Sequence, residues 1–519
     1  MRLVQLTRRT IASLTLLVWF IFVYILGGLM NGRVHRAHYT AACKEDKFAS
    51  CQGMGDHPHA RHWKQVWWRM RDATLGHTPQ LFCPPLGWVP LNAAQEHKLG
   101  KPWSFGLGCE KARAPILIQI AAFRDDICGE TIHDAFHKAA HPERVHIAVV
   151  DQVLAGQDEE CMAKYCRLAV GNSADGEASC PHATRIHFRR IDAAKSRGPA
   201  VARARQRDLV LEHYRLMLQT GNPDGGFCLQ IDSHSRFARG WDQSILDQWL
   251  SVHNEFAILS TYIPHIDMVG RMGFHDTYEI PYLFNVTKGN LGLPRNQQAS
   301  SAKNLHRPAL STLWAAGFSF SKCHAEIMVP NDPYLCNIFD GEEFSRGARL
   351  WTHGYDFYTP HRNTVYHDYN AAAKRRWTAK SEARTRKTNW TEYLPPLRNT
   401  AAERVDLAES FMTMEKAATR VKVLLGYADT GSATKPPTNP DYLRDADDYG
   451  LGTQRTLAQY LDFSGVDYFQ KKSGDRGNFG SCRARTWVPH DGRSAYESYT
   501  SGIALEISLK PSLTPLAIK

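Results

Sequence analysis

Short apolar runs that break off at an acid constrain this chain more than any other feature. "APILIQIAAFRD" closes on Asp125, "RVHIAVVDQ" reaches Asp151, and "CLQIDSHSRF" carries Asp232. Such runs, with "TRIHFRRID" as a further one, predict strands buried in a sheet. The segments between them have helical spacing. After the first run, "CGETIHDAFHKAA" brings round Ile132, Ala135, Phe136 and Ala139, and "GPAVARARQRDLVLEHYRLML" predicts one long helix started by Gly198 and Pro199. Strands alternating with helices predict an α/β domain on a mostly parallel central sheet. Ligands of such sheets gather outside the carboxyl ends of the strands. Asp125, Asp151 and Asp232 therefore mark where the chain leaves the core for a site.

The flanking segments suggest a compartment. Residues Thr10–Met30 carry no charge and are about as long as the ~20 residues of a bilayer-spanning helix. Arg2, Arg8 and Arg9 precede them without an acid, which predicts a cytoplasmic tail at 1–9, a single transmembrane anchor at 10–30 and a lumenal remainder. The 12 dispersed cysteines lack a CxxC pair and suit a lumenal disulfide framework. Sequons at Asn285 and Asn389 are usable in the same compartment. A stem is expected at 31–112, the catalytic domain at 113–400, and a C-terminal helical and appended region at 401–519, with "AAERVDLAESFMTMEKAATRVKVLL" a helix, "ADTGSATKPPTNP" a linker and "GIALEISL" a strand. The formal charge of +11 suits an anionic partner. Nucleic acid is not expected, because the basic tract at 371–388 lacks the aromatic interleaving of a strand-binding groove and would be lumenal. The chain has neither a GxSxG elbow nor a Walker loop.

Residues two apart on an extended strand point the same way, so Asp232 and His234 would share one side, with Ser233 opposite. One carboxylate and one imidazole, with positions left for water and phosphate oxygens, suit Mn²⁺, with Mg²⁺ as the alternative. The same triplet also fits an acid capping the next turn beside an ordinary surface histidine. A third ligand is sought in His367, with His353 and His361 competing. Glu342 and Glu343 in "FDGEEF" either meet the hydroxyls of a substrate or simply open a helix. Arg124, Asp125 and Arg203 are candidates for a nucleotide diphosphate and ribose, or for structural ion pairs. Gly317 shapes a sugar pocket or serves packing.

Together, "ILIQIAAFRDDICGETIHDAF", "GPAVARARQ", "CLQIDSHSRFARGWD", "LSTY", "AAGFSFS", "VPNDPYL", "FDGEEFSRGARLWTHGYDFYTPHRNTVYHDY" and "LGTQRTLAQYLDFSGVD" resemble, in that order, the polypeptide α-N-acetylglucosaminyltransferases of glycosyltransferase family 60. The resemblance runs from about Pro115 to Asp467. It implies a GT-A fold, a UDP-GlcNAc donor, a divalent metal and retention of anomeric configuration. By position it implies a metal-binding D-x-H at Asp232 and His234, a donor-sugar loop at Glu342 and Glu343, and a matching strand end at Arg124 and Asp125; with the residue reading above, Asp232, Glu342 and Glu343 are expected as catalytic groups and Arg124, Asp125, Arg203, Ser233 and Gly317 at the donor. The metal would be held by Asp232 and His234, with His367 a choice by analogy with mucin-type GalNAc transferases. The anchor at 10–30 points to the secretory-pathway branch: a type II Golgi membrane protein that modifies Thr or Ser of a protein acceptor. Hydroxyproline is the alternative acceptor, and a non-catalytic sugar- or nucleotide-binding protein the alternative class.

Overall fold

The computed structural model describes residues 78–83, 86–91, 96–105, 114–171, 180–220, 225–269, 279–370, 414–426, 442, 445–466 and 484–509. The expected anchor, the stem before residue 78, the basic tract, Asn389 and the linker at 428–440 lie outside these residues. Among the described residues no helix is long and apolar enough to cross a membrane.

The chain runs through β1 (Gln80–Cys83), β2 (Gly87–Pro90), β3 (Ile116–Phe123), α1 (Cys128–Lys138), β4 (Val145–Val153), α2 (Cys161–Val170), β5 (Ile186–Asp192), α3 (Pro199–Ala204), α4 (Arg207–Gln219) and β6 (Phe227–Asp232). It continues with β7 (Ser235–Phe237), α5 (Trp241–Val252), β8 (Ala257–Ser260), β9 (Glu279–Tyr282), β10 (Val286–Lys288), β11 (Pro294–Asn296), β12 (Ser300–Lys303), β13 (Ala309–Ser311), β14 (Phe318–Lys322), α6 (His324–Met328), α7 (Glu342–Thr352), β15 (Asp356–Thr359) and β16 (Val365–His367). Helices α8 (Met414–Leu424), α9 (Ala446–Tyr449), α10 (Leu457–Ser464) and α11 (Gly492–Leu509) follow.

The central sheet has eight strands in the order β13-β15-β8-β14-β6-β3-β4-β5. Strands β6, β3, β4 and β5 are parallel, as are β8 and β15, while β14 and β13 run antiparallel to their neighbours. The expected mostly parallel α/β sheet is therefore present. From β3 the chain moves outward to β4 and β5, then returns to β6 on the other side of β3. That reversal opens a crevice beyond the carboxyl ends of β3 and β6. Asp125 follows one of these strands and Asp232 ends the other.

Alternation along β3 covers both faces of the sheet. Ile116, Ile118 and Ile120 pack with Ile132 and Phe136 of α1 and Trp241 and Ile245 of α5, whereas Leu117 packs with Leu209 and Leu211 of α4. Each of these fully buried aliphatic side chains contributes about 1.5–3 kcal/mol by leaving water. The single helix predicted from Pro199 is two, broken at Arg205 and Gln206. The predicted strand "GIALEISL" is instead the second half of α11: its Ile503 is buried against Leu211 and Ile327, and that helical packing overrides a pattern that reads as a strand locally. Strands β1 and β2 join β12 and β9 in an antiparallel sheet, so residues 80–83 and 87–90 of the expected stem are built into a sheet with residues 279–282 and 300–303. Disulfides Cys128–Cys161, Cys166–Cys180 and Cys228–Cys323 bear out the expected framework, and Cys83 is also disulfide-bonded.

Candidate active site

Strand β6 stops at Asp232, and the chain bends through Ser233 and His234 before β7. Strict alternation therefore ends one residue too early for Ser233 to face away. The Ser233 hydroxyl donates to Asp125 Oδ2 at 2.5 Å, and His234 Nδ1 lies 2.7 Å from the same oxygen. Asp125 is buried, and its Oδ1 accepts from the Ile127 N–H, 2.8 Å away at the start of α1. A carboxylate on one ring nitrogen orients an imidazole and raises the basicity of the other nitrogen. Asp125 is thereby a positioning residue for His234.

The third histidine arrives by strand pairing. β16 lies antiparallel to β7 with His367 opposite Ser235, and the Asp368 N–H donates to the His234 carbonyl at 3.0 Å. This register sets His367 Nε2 3.0 Å from Asp232 Oδ2 and its ring centroid 4.6 Å from that of His234. Ligand atoms of Asp232, His234 and His367 all lie within 4.8 Å of one another. His353 and His361 do not join them. His353 Nδ1 lies 2.7 Å from the Arg349 carbonyl, and His361 is held by its N–H to Gln248 at 3.0 Å.

Arg203 is the hinge of the electrostatics. It donates to Asp232 Oδ1 at 2.9 Å and to Glu342 Oε1 at 2.6 Å, and is itself 8% exposed. Burial alone would lower its pKa, but the charges of Glu342 and Asp232 outweigh that and raise it. Burial would likewise raise Asp232, yet the hydrogen bond and charge of His367, with Arg203 and His234 beyond, hold it far below the usual carboxylate range. Arg203 is thus committed to two acids rather than held ready for a diphosphate.

Glu342 and Glu343 open α7 behind Gly341, whose φ of 90° is the left-handed conformation glycine tolerates. Glu343 accepts from the Tyr262 hydroxyl at 2.6 Å and the Ala316 N–H at 3.0 Å. Burial pushes its carboxyl up to about 7 against both of those donors, with the charge of Glu342 adding to the rise. Gly317 stands over the metal candidates: a Cβ there would lie 3.0 Å from Asp232 Oδ2.

These groups line one cavity of about 990 Å³ at the crevice, at the upper end of the range of small-molecule and cofactor sites. Asp125, Arg203, Asp232, Ser233, His234, Gly317, Glu342, Glu343 and His367 all reach it. Arg124 does not line it; its guanidinium pairs with Asp158 at 2.9 Å. Asp151 is also elsewhere, accepting from the Cys161 N–H at 2.8 Å at the start of α2. The cavity adds residues that the sequence reading assigned no role: Arg197, Tyr262, Arg295 and Tyr369. Tyr262 and Tyr369 stand in the segments "LSTY" and "VYHDY", but nothing local in those segments says that they meet.

One carboxylate and two imidazoles form a donor set that fits a divalent transition-metal ion such as Mn²⁺, and fits Mg²⁺ less well because that ion prefers oxygen ligands.

No curated protein matches this sequence. Among solved structures, a crystal structure of GalNAc-T7 with UDP, GalNAc and Mn²⁺ is similar at 11% identity and a TM-score of 0.35, over 67% of this chain and 56% of that one. The chain thus spans little more than half the length of that structure. Residues 115–470 match the family described as Glycosyltransferase (GlcNAc). With that match extending over well more than half of its length, the chain belongs to the GlcNAc glycosyltransferase family.

Proposed function

We propose that this chain is a retaining glycosyltransferase of GT-A type that transfers N-acetylglucosamine from UDP-GlcNAc, in α-linkage, to Thr or Ser hydroxyls of secretory-pathway proteins. In this reading it is a type II Golgi membrane protein anchored by residues 10–30, and it initiates mucin-type O-glycans. The observation that carries the reading is the convergence of Asp232, His234 and His367 within 4.8 Å on the lining of the cavity. The family's own sugar supports GlcNAc as the donor group.

Asp232, His234 and His367 would hold Mn²⁺, which supplies positive charge against a donor diphosphate as the glycosidic bond breaks. Asp125 and Ser233 keep the His234 ring in place. Arg203 pairs with both Asp232 and Glu342, and its one positive charge offsets part of the cost of two carboxylates facing one cavity. Glu343 can hold a proton on a carboxylate oxygen near neutral pH, suited to exchanging hydrogen bonds with sugar or acceptor hydroxyls. Retention is read as attack on the face the leaving phosphate departs from, with that phosphate taking the acceptor proton.

The test is UDP release and HexNAc addition to a Thr-rich peptide by the purified chain with UDP-GlcNAc and Mn²⁺, with and without EDTA. EDTA-sensitive transfer is expected, abolished by Asp232→Ala and by His234→Ala in folded protein. Transfer only to a hydroxyproline peptide would replace the acceptor. Donor binding without turnover on any acceptor would move the protein to the non-catalytic class.

A further inference from the structure

A second group of histidines lies on the far side of the sheet's strands. His146 is the second residue of β4 and His187 the second residue of β5, whereas the cavity opens beyond the carboxyl ends of β3 and β6. His213 projects from α4, the helix whose Leu209, Leu211 and Tyr214 pack on Leu117 and Ala148 of the sheet. None of the three lines the active-site cavity.

Two independent observations set this group apart from ordinary core histidines. Its ligand atoms all lie within 4.8 Å of one another, with ring centroids of His146 and His213 at 4.7 Å and of His187 and His213 at 6.0 Å. His213 is 0% exposed, yet neither of its nitrogens has a hydrogen-bond partner among the described residues. His146 Nδ1 and His187 Nε2 are buried without partners as well. Buried polar groups are nearly always satisfied, and each one left unmet costs about 1–3 kcal/mol. One nitrogen from each of the three rings lies within reach of a common centre, so a single bound cation takes up one nitrogen per histidine, and of the two His213 nitrogens it accounts for one.

We propose that His146, His187 and His213 form a zinc-class metal site, separate from the catalytic centre, which clamps the edge strand β5 and helix α4 to β4. Three neutral imidazoles with a fourth position for water suit Zn²⁺, which takes nitrogen ligands tetrahedrally. A tetrahedral ion with bonds of about 2.0–2.1 Å sets its nitrogens roughly 3.3 Å apart, so rotation of the rings by about an ångström closes the site. An all-nitrogen set disfavours Mg²⁺ and Ca²⁺, which take oxygen. The role is structural: the clamp secures the last strand of the parallel half, which has no neighbour beyond it among the described residues.

The experiment loads the full chain with zinc alone, dialyses it, and counts metal by elemental analysis in wild type, in Asp232→Ala, and in Asp232→Ala chains that also carry His187→Phe or His213→Phe. Cobalt(II) in place of zinc reports the ligand field by visible absorption. The Asp232→Ala chain is expected to keep about one zinc per chain and a tetrahedral cobalt spectrum, and both histidine variants to fall to less than about a tenth of that. The thermal shift caused by zinc should disappear in the same two variants. His187→Phe, on the half-buried edge strand, decides the matter if His213→Phe does not fold. Zinc absent from the Asp232→Ala chain, or retained in full by the folded Asp232→Ala/His187→Phe chain, overturns the proposal.

Discussion

Replacing Arg203 by Met tests whether one buried cation is what lets the active site carry its acids. The substitution keeps the apolar stem and removes the guanidinium, leaving Glu342 and Asp232 without the cation they share. The Glu342 side chain is only 5% exposed, so its stranded charge dominates; that of Asp232 is 29% exposed, keeps His367, and is partly screened. Breaking a buried pair by removing one partner costs about 3–5 kcal/mol. Unfolding entropy of about 2.1 cal/mol/K per residue over the roughly 350 residues of the matched region at 115–470 converts this to a Tm about 4–7 °C lower. Thermal unfolding at pH 7 reads the change directly. The double variant Arg203→Met/Glu342→Gln removes the stranded charge as well and should recover more than half of the loss. A single variant within about 1 kcal/mol of wild type, or a double variant no more stable than the single, would refute the reasoning.

Gly317→Ala places a methyl 3.0 Å from Asp232 Oδ2 and should lower transfer roughly 10-fold or more with little change in Tm, read by kinetics beside a thermal melt. Glu343, with its folded pKa raised to about 7, contributes stability that is full below its unfolded value and lost as pH rises towards and through 7. Wild-type Tm relative to Glu343→Gln should therefore fall between pH 5 and 8. Tyr262→Phe removes a hydrogen bond that favours the carboxylate, so a transfer-rate limb governed by Glu343 should move to higher pH; an unmoved limb would disconnect that group from the rate. Cys228–Cys323 joins β6 to the end of β14 across a sequence separation of 95, and the double alanine variant should lose about 2–5 kcal/mol in denaturant unfolding.

Much of the architecture was legible because it is written in local periods. The apolar runs of β3, β4 and β6 and the helical spacing of α1 need only neighbouring residues to be read, and the parallel sheet followed from their alternation. Asp232 and His234 were legible for the same reason, as polar residues at a strand end. Local reading failed where packing decided. The strand pattern of residues 502–509 became helix because Ile503 is buried against α4 and α6. Asp151 looked equivalent to Asp125 and Asp232, but β4 lies outside the reversal between β3 and β6, so its acid meets α2 instead. Arg124 turned to Asp158.

By itself the sequence determined the strands β3, β4, β5 and β6 and the helix α1 between them, that the sheet is largely parallel, and which strand ends carry the acids. Only the tertiary structure decided which distant groups meet there: His367 lies 135 residues from Asp232, and Glu342 lies 139 residues from the arginine that neutralises it. The reason is physical. A strand or helix period is set by backbone geometry over a few residues, whereas these contacts depend on strand register and on how buried charges are balanced across the fold, for which no local pattern exists.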